Sequence, residues 1–381
     1  MMAANMALAA DDKVLKIGYL DLENDHRYVE KQMIARFPGL PWGRPLAAAE
    51  VALREARFAG ASVGVKFEIQ HERAEKTEYL QTRLASLIDA GVKFVLLDLP
   101  ADSVASLSNY AKQHEVLLFN LSAKDDALRQ SQCANNLLHV IASHSMLSDA
   151  LAQYLRFKKW NKVLLLVGPD KNDIEAQHAF EYSAKKFGIK VVEVKHFIPG
   201  RDPRKRDQNN IALLTSGSGY DLVWVIDSTG EFARDIPYQI QKPQIVVGNA
   251  GLVATGWHWA WERQGAPQLN RRFEKKAKRQ MTDYDWSAWM SIKAVVEAVL
   301  RTKSTDYLKL NNYIKGPDII LDGFKGARLS FRSWNNQLRQ PIFVTTDNWV
   351  VARAPLEGFL HQLNNLDTLG YDKQESQCIL K

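Results

Sequence analysis

The sequence lacks the short motifs that mark most enzyme active sites and metal centres. It has only two cysteines, Cys133 and Cys378, so it contains neither a CxxC pair nor the Cys-His spacing of a zinc site. It also has no GxSxG nucleophile elbow, no glycine-rich phosphate loop and no HExxH helix. We therefore predict that the protein is not an enzyme and that it has no cofactor.

Long apolar runs are missing as well. No stretch approaches the ~18 apolar residues of a membrane-spanning helix, so we predict no direct membrane insertion. With 46% hydrophobic and 24% charged residues, the composition is that of a globular protein. A chain of 381 residues exceeds one ordinary core, which predicts two domains.

The net charge of +7 raises the question of nucleic-acid binding. The basic residues cluster at Arg201–Arg206 and Arg271–Arg279, without a helix-turn-helix, zinc-finger or RNA-binding motif around them. We predict no nucleic-acid partner and interpret the clusters as a solvated loop and a solvated helix face. The alternative is a basic surface that docks on an acidic partner or on membrane headgroups.

The first residues carry information about the compartment. Met1–Ala10 is small and apolar and precedes Asp11, which is similar to the end of a secretory signal peptide. This predicts export, and the alternative is a disordered cytosolic start. Two cysteines fit an exported protein with one disulfide between Cys133 and Cys378, although two unrelated buried thiols are the alternative.

What the sequence does have is a series of apolar runs that end in Asp or Asn. Runs of this length with helical segments between them predict parallel strands buried on both faces. The runs are Lys16–Asp21, Phe94–Asp98, Val116–Asn120, Val163–Asp170, Leu222–Asp227 and Ile245–Asn249. Ligands bind beyond the carboxyl ends of such strands, so the polar ends predict a binding crevice.

The order of elements predicts an α/β protein with two doubly wound, mainly parallel sheets, joined by a three-strand hinge as a clamshell. We expect residues 1–12 to be a signal-peptide remnant or disordered. Lobe I is predicted to comprise residues 13–122 and 252–326. Lobe II with the C-terminal tail is predicted to comprise residues 123–251 and 327–381. Residues 122–141 are interpreted as the first crossing, and Arg204–Thr215 as one helix.

Several segments together resemble a known family. The segments GRPLAAAEVALREA, FVLLDLPADSVASLSNYA, KVLLLVGPDKND, LVWVIDSTGEF and IVVGNAG are similar in order to type I periplasmic solute-binding proteins. This is the branched-chain amino-acid-binding branch of ABC-transporter receptors. The segments NLSAKDDALR and LGYDKQESQC further resemble the receptor subgroup associated with pyrroloquinoline-quinone (PQQ)-dependent alcohol oxidation.

The resemblance implies a periplasmic, monomeric receptor that captures a small polar solute for the membrane subunits of an ABC transporter. Two alternatives stay open, a ligand-sensing receptor without transport and a carrier of a metal or metal complex. The resemblance also implies ligand contacts on the turns after the strands. These are Asp98, Ala101, Asp102, Ser103, Ser122, Ala123 and Lys124 in lobe I, and Asp170, Asp173, Asp227, Ser228, Glu231 and Asn249 in lobe II.

The chain departs from the amino-acid-binding pattern at two of these positions. Lys124 stands where a small hydroxyl residue is usual, and Asp98 replaces a small residue. An α-amino acid is therefore not carried over as the ligand. With Asp21 at the end of the first strand, the acidic residues favour a cationic, polyhydroxy or metal ligand of unknown identity. The alternative is that each Asp caps a helix.

Aromatic residues form two groups, Trp257, Trp259 and Trp261, and then Tyr284, Trp286 and Trp289. Such rings can stack on a ring ligand or pack the hinge and the first lobe. We select Trp286 as a candidate ligand contact, because it begins a helix, Tyr284–Thr302, that is expected to approach the cleft.

Overall fold

The structure is a computed structural model that describes residues 13–28, 43–200 and 202–380. The predicted signal-peptide remnant therefore lies outside the described residues. Among these residues the first sheet has five parallel strands in the order β2-β1-β3-β4-β5. The elements of this lobe I are β1 (Lys13–Leu22), α1 (Leu46–Ala61), β2 (Val65–Ala74), α2 (Leu80–Asp89), β3 (Phe94–Asp98), α3 (Ala101–Tyr110), β4 (Leu117–Asn120) and β5 (Leu137–His139).

The second sheet has, within the same ranges, four parallel strands in the order β7-β6-β8-β9. It forms lobe II. The elements are α4 (His144–Lys158), β6 (Lys162–Val167), α5 (Lys171–Phe187), β7 (Lys190–His196), α6 (Arg206–Asn209), α7 (Ile211–Leu214), β8 (Leu222–Ile226), α8 (Ile236–Gln239) and β9 (Ile245–Gly248).

The rest of the chain adds helices to lobe I and a hairpin to lobe II. Its elements are β10 (Val253–Thr255), α9 (Ala266–Ala277), α10 (Asp283–Thr302), α11 (Tyr307–Lys315), β11 (Leu321–Asp322), β12 (Arg328–Leu329), β13 (Ile342–Thr345) and β14 (Val350–Ala354). β13 pairs with β10 and β14 in an antiparallel sheet. The predicted class, two doubly wound parallel sheets of an α/β protein, is confirmed.

Each parallel sheet has an apolar core on both of its faces. Along β1, Ile17 and Tyr19 belong to the core on one face, and Leu20 and Leu22 to the core on the other. This alternation follows from the two-residue period of a strand, and burial on both faces explains why the strands are continuous apolar runs. α1 and α10 pack against each other on the first of these faces.

The chain passes between the two lobes at three places within the described residues. The passages lie between Val140 and Ala142, between Ala254 and Trp257, and between Leu338 and Ile342, because the members of each pair belong to cores of different lobes. Gln340 connects two of the passages, since its Nε2 donates to the Val140 carbonyl at 2.7 Å. The passages therefore form a hydrogen-bonded hinge.

Two expectations about elements were wrong. Residues 122–141 are not only a crossing, because they contain β5, which pairs with β4 and extends the first sheet. The segment Arg204–Thr215 is not one helix. Asn210 has an extended backbone, and its side chain accepts a hydrogen bond from the Leu213 N–H, so it ends α6 and caps α7.

The C-terminal tail packs on lobe II and is tied to lobe I. Asp367 accepts hydrogen bonds from Arg332 and Arg339, and the Tyr371 ring stacks on Tyr182. The predicted disulfide between Cys133 and Cys378 is present and joins residues 245 positions apart. Among the described helices, none has the length and apolarity to cross a membrane.

Candidate ligand-binding cleft

The strand orders place a crevice at the same position in both lobes. In each sheet the first strand lies between the two that follow it, so the connections leave to opposite sides between β1 and β3, and between β6 and β8. Ligands bind at such switch points in open α/β sheets. Loops from both positions line a cavity of about 350 Å³ between the lobes.

Eight of the fifteen predicted ligand-binding residues line this cavity. They are Ala101, Ser122, Ala123, Lys124, Asp173, Asp227, Ser228 and Asn249. The other seven are outside its lining, and their positions are described below. A direct ligand contact by any of the eight lining residues stays a prediction.

Arg27 lies in the lobe I wall, in the loop after β1. Its Nε donates to Asp25 at 3.0 Å, and its Nη2 donates to Asp98 Oδ1 at 3.1 Å. Burial lowers the pKa of Arg27, but the carboxylates of Asp98 and Asp25 outweigh burial and hold that pKa well above its usual range. The guanidinium is therefore charged, although Arg27 is only 9% exposed.

Asp98 was expected to contact the ligand, and the structure places it outside the cavity lining. It is fully buried behind Arg27 and accepts hydrogen bonds from the hydroxyls of Tyr28 at 2.9 Å and Tyr19 at 3.3 Å. The Asp98 carboxylate therefore holds the guanidinium of Arg27 in position, and Arg27 itself lines the cavity.

Asp21, another predicted ligand contact, is also fully buried outside the cavity lining. Its carboxylate accepts hydrogen bonds from Arg44, His71 and Arg73 at 2.8–3.0 Å. Burial raises the pKa of Asp21, but the hydrogen bonds from His71 and Arg73 and the charge of Arg44 together lower it to about 2. Because Asp21 and Asp98 are neighbours across β1 and β3, each needs its own cations.

The start of α3 also contributes to the lobe I wall, through Leu99, Pro100 and Ala101. Pro100 occupies the N-cap position without a side-chain cap. The first N–H groups of a helix have no partner within it and carry the positive end of the helix dipole. The predicted Ser103, two positions after Ala101, is buried and does not line the cavity.

Asp102 faces outward at the mouth of the cleft. Its carboxylate accepts a hydrogen bond from Lys171 Nζ of lobe II at 2.8 Å, and both side chains are largely exposed. Asp102, a predicted ligand contact, does not line the cavity and forms an ion pair between the two lobes.

Lys124 and Tyr284 complete the charged part of the wall. Lys124 Nζ donates to Asp283 Oδ2 at 2.8 Å and lies 5.1 Å from the centroid of the Tyr284 ring. Arg27 Cζ lies 5.8 Å from the same centroid. Two cations, Lys124 and Arg27, therefore lie near the Tyr284 ring, and cations are attracted to the ring electrons.

The lobe II wall presents acids whose oxygens are bonded to the backbone. Asp227 Oδ1 accepts from Thr229 N and Oγ1, and Oδ2 accepts from Phe232 N at 2.9 Å and Ala233 N at 2.8 Å. Asp173 accepts from the N–H groups of Asp170 at 3.1 Å and Ser228 at 2.6 Å. Burial raises the pKa of Asp173 despite these bonds, and the charge of Asp227 raises it further.

Two other predicted ligand contacts of lobe II, Asp170 and Glu231, lie outside the cavity lining. Asp170 is the exposed N-cap of α5, where it forms a capping box with Asp173, and Glu231 is exposed on the loop after β8. Asp170 caps a helix, which was the alternative interpretation of an Asp at the end of a strand.

The remaining wall is mainly apolar and belongs to lobe II and the hinge. The side chains are Leu147, Leu151, Ala176, Trp224, Ile226, Val253 and Ala254. His144 adds a polar ring, and burial together with the Lys124 and Arg129 cations lowers its pKa to about 3, so it is neutral. The sequence analysis did not select His144, Arg27 or Tyr284 for the cleft, because no motif surrounds them.

Trp286 was expected to approach the ligand and does not. It is fully buried in lobe I, where its Nε1 donates to the Gly323 carbonyl at 2.9 Å and Lys325 Nζ lies 3.5 Å from its ring centroid. Tyr284, two residues earlier, is on a different face of α10, because residues i and i+2 of a helix do not face the same way.

Metal coordination receives no support from the described residues. Among them no group of three or more His, Cys, Asp or Glu side chains is placed to hold a metal ion. The acidic strand ends are instead paired with arginines or with backbone N–H groups.

The protein is thus a two-lobed α/β clamshell with a cavity between its lobes. Residues 44–242 match the model of the receptor family ligand-binding region, and the chain belongs to that family. No curated protein is significantly similar to the chain in sequence.

Solved structures share the fold. A branched-chain amino-acid ABC-transporter periplasmic ligand-binding protein from Burkholderia xenovorans LB400 superposes with a TM-score of 0.72 at 16% identity, covering 89% of this chain and 95% of its own. An ABC-transporter substrate-binding protein from Sphaerobacter thermophilus gives 0.73 at 15% identity, covering 90% and 98%. A solute-binding protein from Rhodopseudomonas palustris BisB5, in complex with 3,4-dihydroxybenzoic acid, gives 0.67 at 13% identity, covering 87% and 93%. The fold is that of type I periplasmic binding proteins.

Proposed function

We propose that the protein is a periplasmic solute receptor that captures a small solute between its lobes and presents the closed form to the membrane subunits of an ABC transporter. The observation that carries the proposal is the cavity of about 350 Å³ at the switch points of both sheets. The transport role is supported by the fold shared with solute-binding proteins of ABC transporters.

Two units that move about the hinge fit this function. We propose that lobe I ends after β5, near residue 140, and resumes after residue 254, while lobe II lies between them and continues from residue 342 into the tail. These limits follow the change of core at each passage and differ from the predicted limits at 122 and 326. Closure then has to be driven by contacts that both lobes make to the ligand.

A link to PQQ-dependent alcohol oxidation is the narrower part of the proposal. It is supported by the similarity of the segments NLSAKDDALR and LGYDKQESQC to that receptor subgroup. Periplasmic export and a monomeric state belong to the same proposal, and the disulfide is consistent with an oxidising compartment.

The experiment is a thermal-shift screen of the purified chain with alcohols, aldehydes, carboxylic acids, amines, PQQ and calcium or lanthanide salts. A ligand that binds the native state raises its melting temperature. We expect at least one organic solute to bind and to be recovered chemically unchanged after equilibrium dialysis. Turnover of the bound solute would contradict a receptor, and a shift with metal salts alone would favour the metal carrier.

A further inference from the structure

The charged groups of the two walls are not equivalent, because Arg27 of lobe I is incompletely paired, whereas Asp173 and Asp227 of lobe II are bonded to backbone N–H groups. Nη1 of Arg27 makes no hydrogen bond to any residue in the described ranges, whereas Nε and Nη2 are bonded to Asp25 and Asp98. Arg27 is more than nine-tenths buried and lines the cavity. An N–H donor in this position needs an acceptor from a ligand or from water.

The start of α3 lines the same cavity as Arg27. Nη2 of Arg27 donates to Asp98 at 3.1 Å, and Asp98 precedes Pro100, the N-cap of α3, by two residues. α3 has ten residues and no side-chain cap. Uncapped helix N-termini bind anions through their free N–H groups and dipole. The two features therefore favour an anionic ligand group at one end of the cavity.

Three of the four acids that line the cavity are already bonded to other groups of the protein. Asp227 accepts four hydrogen bonds from its own loop, which occupies the acceptor sites of a carboxylate. Asp173 is 1% exposed and bonded to two backbone N–H groups, and Asp283 is bonded to Lys124. Asp125, the remaining acid of the lining, lies within electrostatic range of Arg129 and Lys171.

The far wall accommodates an apolar body. Leu151, Trp224 and Ile226 are each buried at about 3% exposure and line the cavity on the lobe II side. A cavity of about 350 Å³ is near the lower end of the range for small-ligand sites. A compact aliphatic or aromatic group fits there without a polar partner.

We propose that the cleft is selective for small monocarboxylates with an apolar body and no α-ammonium group, with the carboxylate bound by Arg27 and the start of α3. This inference rests on the proposed solute-receptor function and narrows its ligand class. An α-amino acid of the same shape would bury its ammonium in a cavity where Asp173, Asp227 and Asp283 are already bonded, and burying an unpaired charge is costly.

The test compares matched compounds by calorimetry on the unmutated chain. The set is 4-methylpentanoate, leucine, 3-methylbutylamine and 3-methylbutan-1-ol, and then benzoate, benzylamine and benzyl alcohol. We expect both carboxylates to bind, and 4-methylpentanoate to bind at least ~10-fold more tightly than leucine. Tighter binding of leucine, of an amine or of an alcohol would overturn the inference and leave the receptor function intact.

A variant series tests the role of Arg27. Arg27→Leu should weaken carboxylate binding about 10- to 100-fold, as expected for the loss of a charge-assisted hydrogen bond. Arg27→Lys should retain part of the affinity, because it keeps the charge but not the fork. Arg301→Leu, an exposed arginine on α10 paired with Glu297, is the matched control and should bind normally.

The outcomes separate the two proposals. Because Arg27→Leu also leaves Asp98 unpaired, its melting curve is measured first, and a misfolded variant leaves the decision to the ligand set on the unmutated chain. Equal carboxylate affinity in a folded Arg27→Leu would overturn the inference. If no compound of any class in the thermal-shift screen binds, the receptor function itself fails.

Discussion

The acidic residues at the strand ends look alike in the sequence, and the two lobes use them differently. In lobe I, Asp21 and Asp98 are paired with arginines, His71 and tyrosine hydroxyls that come from distant parts of the chain. In lobe II, Asp227 and Asp173 are bonded to backbone N–H groups within a few residues or on the adjacent loop.

This difference determines what each wall offers to a ligand. Pairing by arginine in lobe I leaves a guanidinium with donors to spare, since Arg27 has more N–H groups than its two carboxylate partners use. In lobe II, backbone N–H groups occupy the acceptor atoms of the acids, and the surface that remains for a ligand is mainly apolar. A strand-end Asp is therefore informative only once its partner is known.

The largest effect on stability is expected when an acid of lobe I is removed. Asp98→Ala should lower the free energy of unfolding by about 3–5 kcal/mol, because it removes one of the two carboxylates that pair with the buried Arg27 and leaves two tyrosine hydroxyls without their acceptor. Urea unfolding measures the loss. Asp102→Ala, an exposed acid nearby, is the control, and a loss below about 1 kcal/mol for Asp98→Ala would contradict this role.

In lobe II the corresponding change is Asp227→Ala. It should cost about 2–3 kcal/mol of stability, because the N–H groups of Phe232 and Ala233 lose their acceptor in a buried loop. Asp227→Asn retains one carbonyl oxygen and should lose less. If Asp227→Ala is as stable as the parent but binds ligand weakly, Asp227 is a ligand contact and its role as a loop cap is wrong.

Acid titration tests how strongly the partners of Asp21 in lobe I stabilise its charged form. The folded-state pKa of Asp21 is about 2, below its usual 3.8, so its stabilisation is present above pH 4 and is lost as the pH falls towards 2. Allowing for solvent screening, about 1–2 kcal/mol should be lost over this range. Urea unfolding at pH 5, 4 and 3 measures the loss. The Asp21→Asn variant should lack this component, and an identical pH profile would contradict it.

The smallest expected effect is at the mouth of the cleft. Lys171→Gln removes the exposed ion pair with Asp102 and should change stability by less than about 1 kcal/mol. Ligand affinity should fall at most several-fold, and added salt should abolish the difference from the parent, because salt screens exposed charges. Calorimetry at low and high salt measures it, with Lys66→Gln as the control. A loss that salt does not alter would mean that Lys171 acts on the ligand directly.

The sequence was sufficient for the fold class of two mainly parallel sheets, although it missed β5 of the first sheet. Apolar runs that end in a polar residue identify parallel strands, and the carboxyl ends of such strands meet at one edge. It was not sufficient for the partners of the acids. Arg44 and Arg73 reach Asp21 from 23 and 52 residues away, a pairing that only the tertiary fold creates.

The direction of the side chains within a helix was the second feature that the sequence was not sufficient to predict. The start of α10 does approach the cleft, but Tyr284 and Asp283 line it, while Trp286 turns into the lobe I core. An error of two residues in the helical phase moves a side chain to another face. Arg27 was missed because a lone arginine in a loop carries no pattern.

The measurement that tests the account most directly is the distance between the lobes during ligand binding. No free cysteine is present among the described residues, so spin labels can be placed at Glu78→Cys in lobe I and Glu231→Cys in lobe II, both exposed positions. The account predicts that saturating 4-methylpentanoate shifts the label-to-label distribution to one short distance, and that leucine at the same concentration does not. An unchanged distribution with a bound carboxylate would contradict a cleft that closes on its ligand.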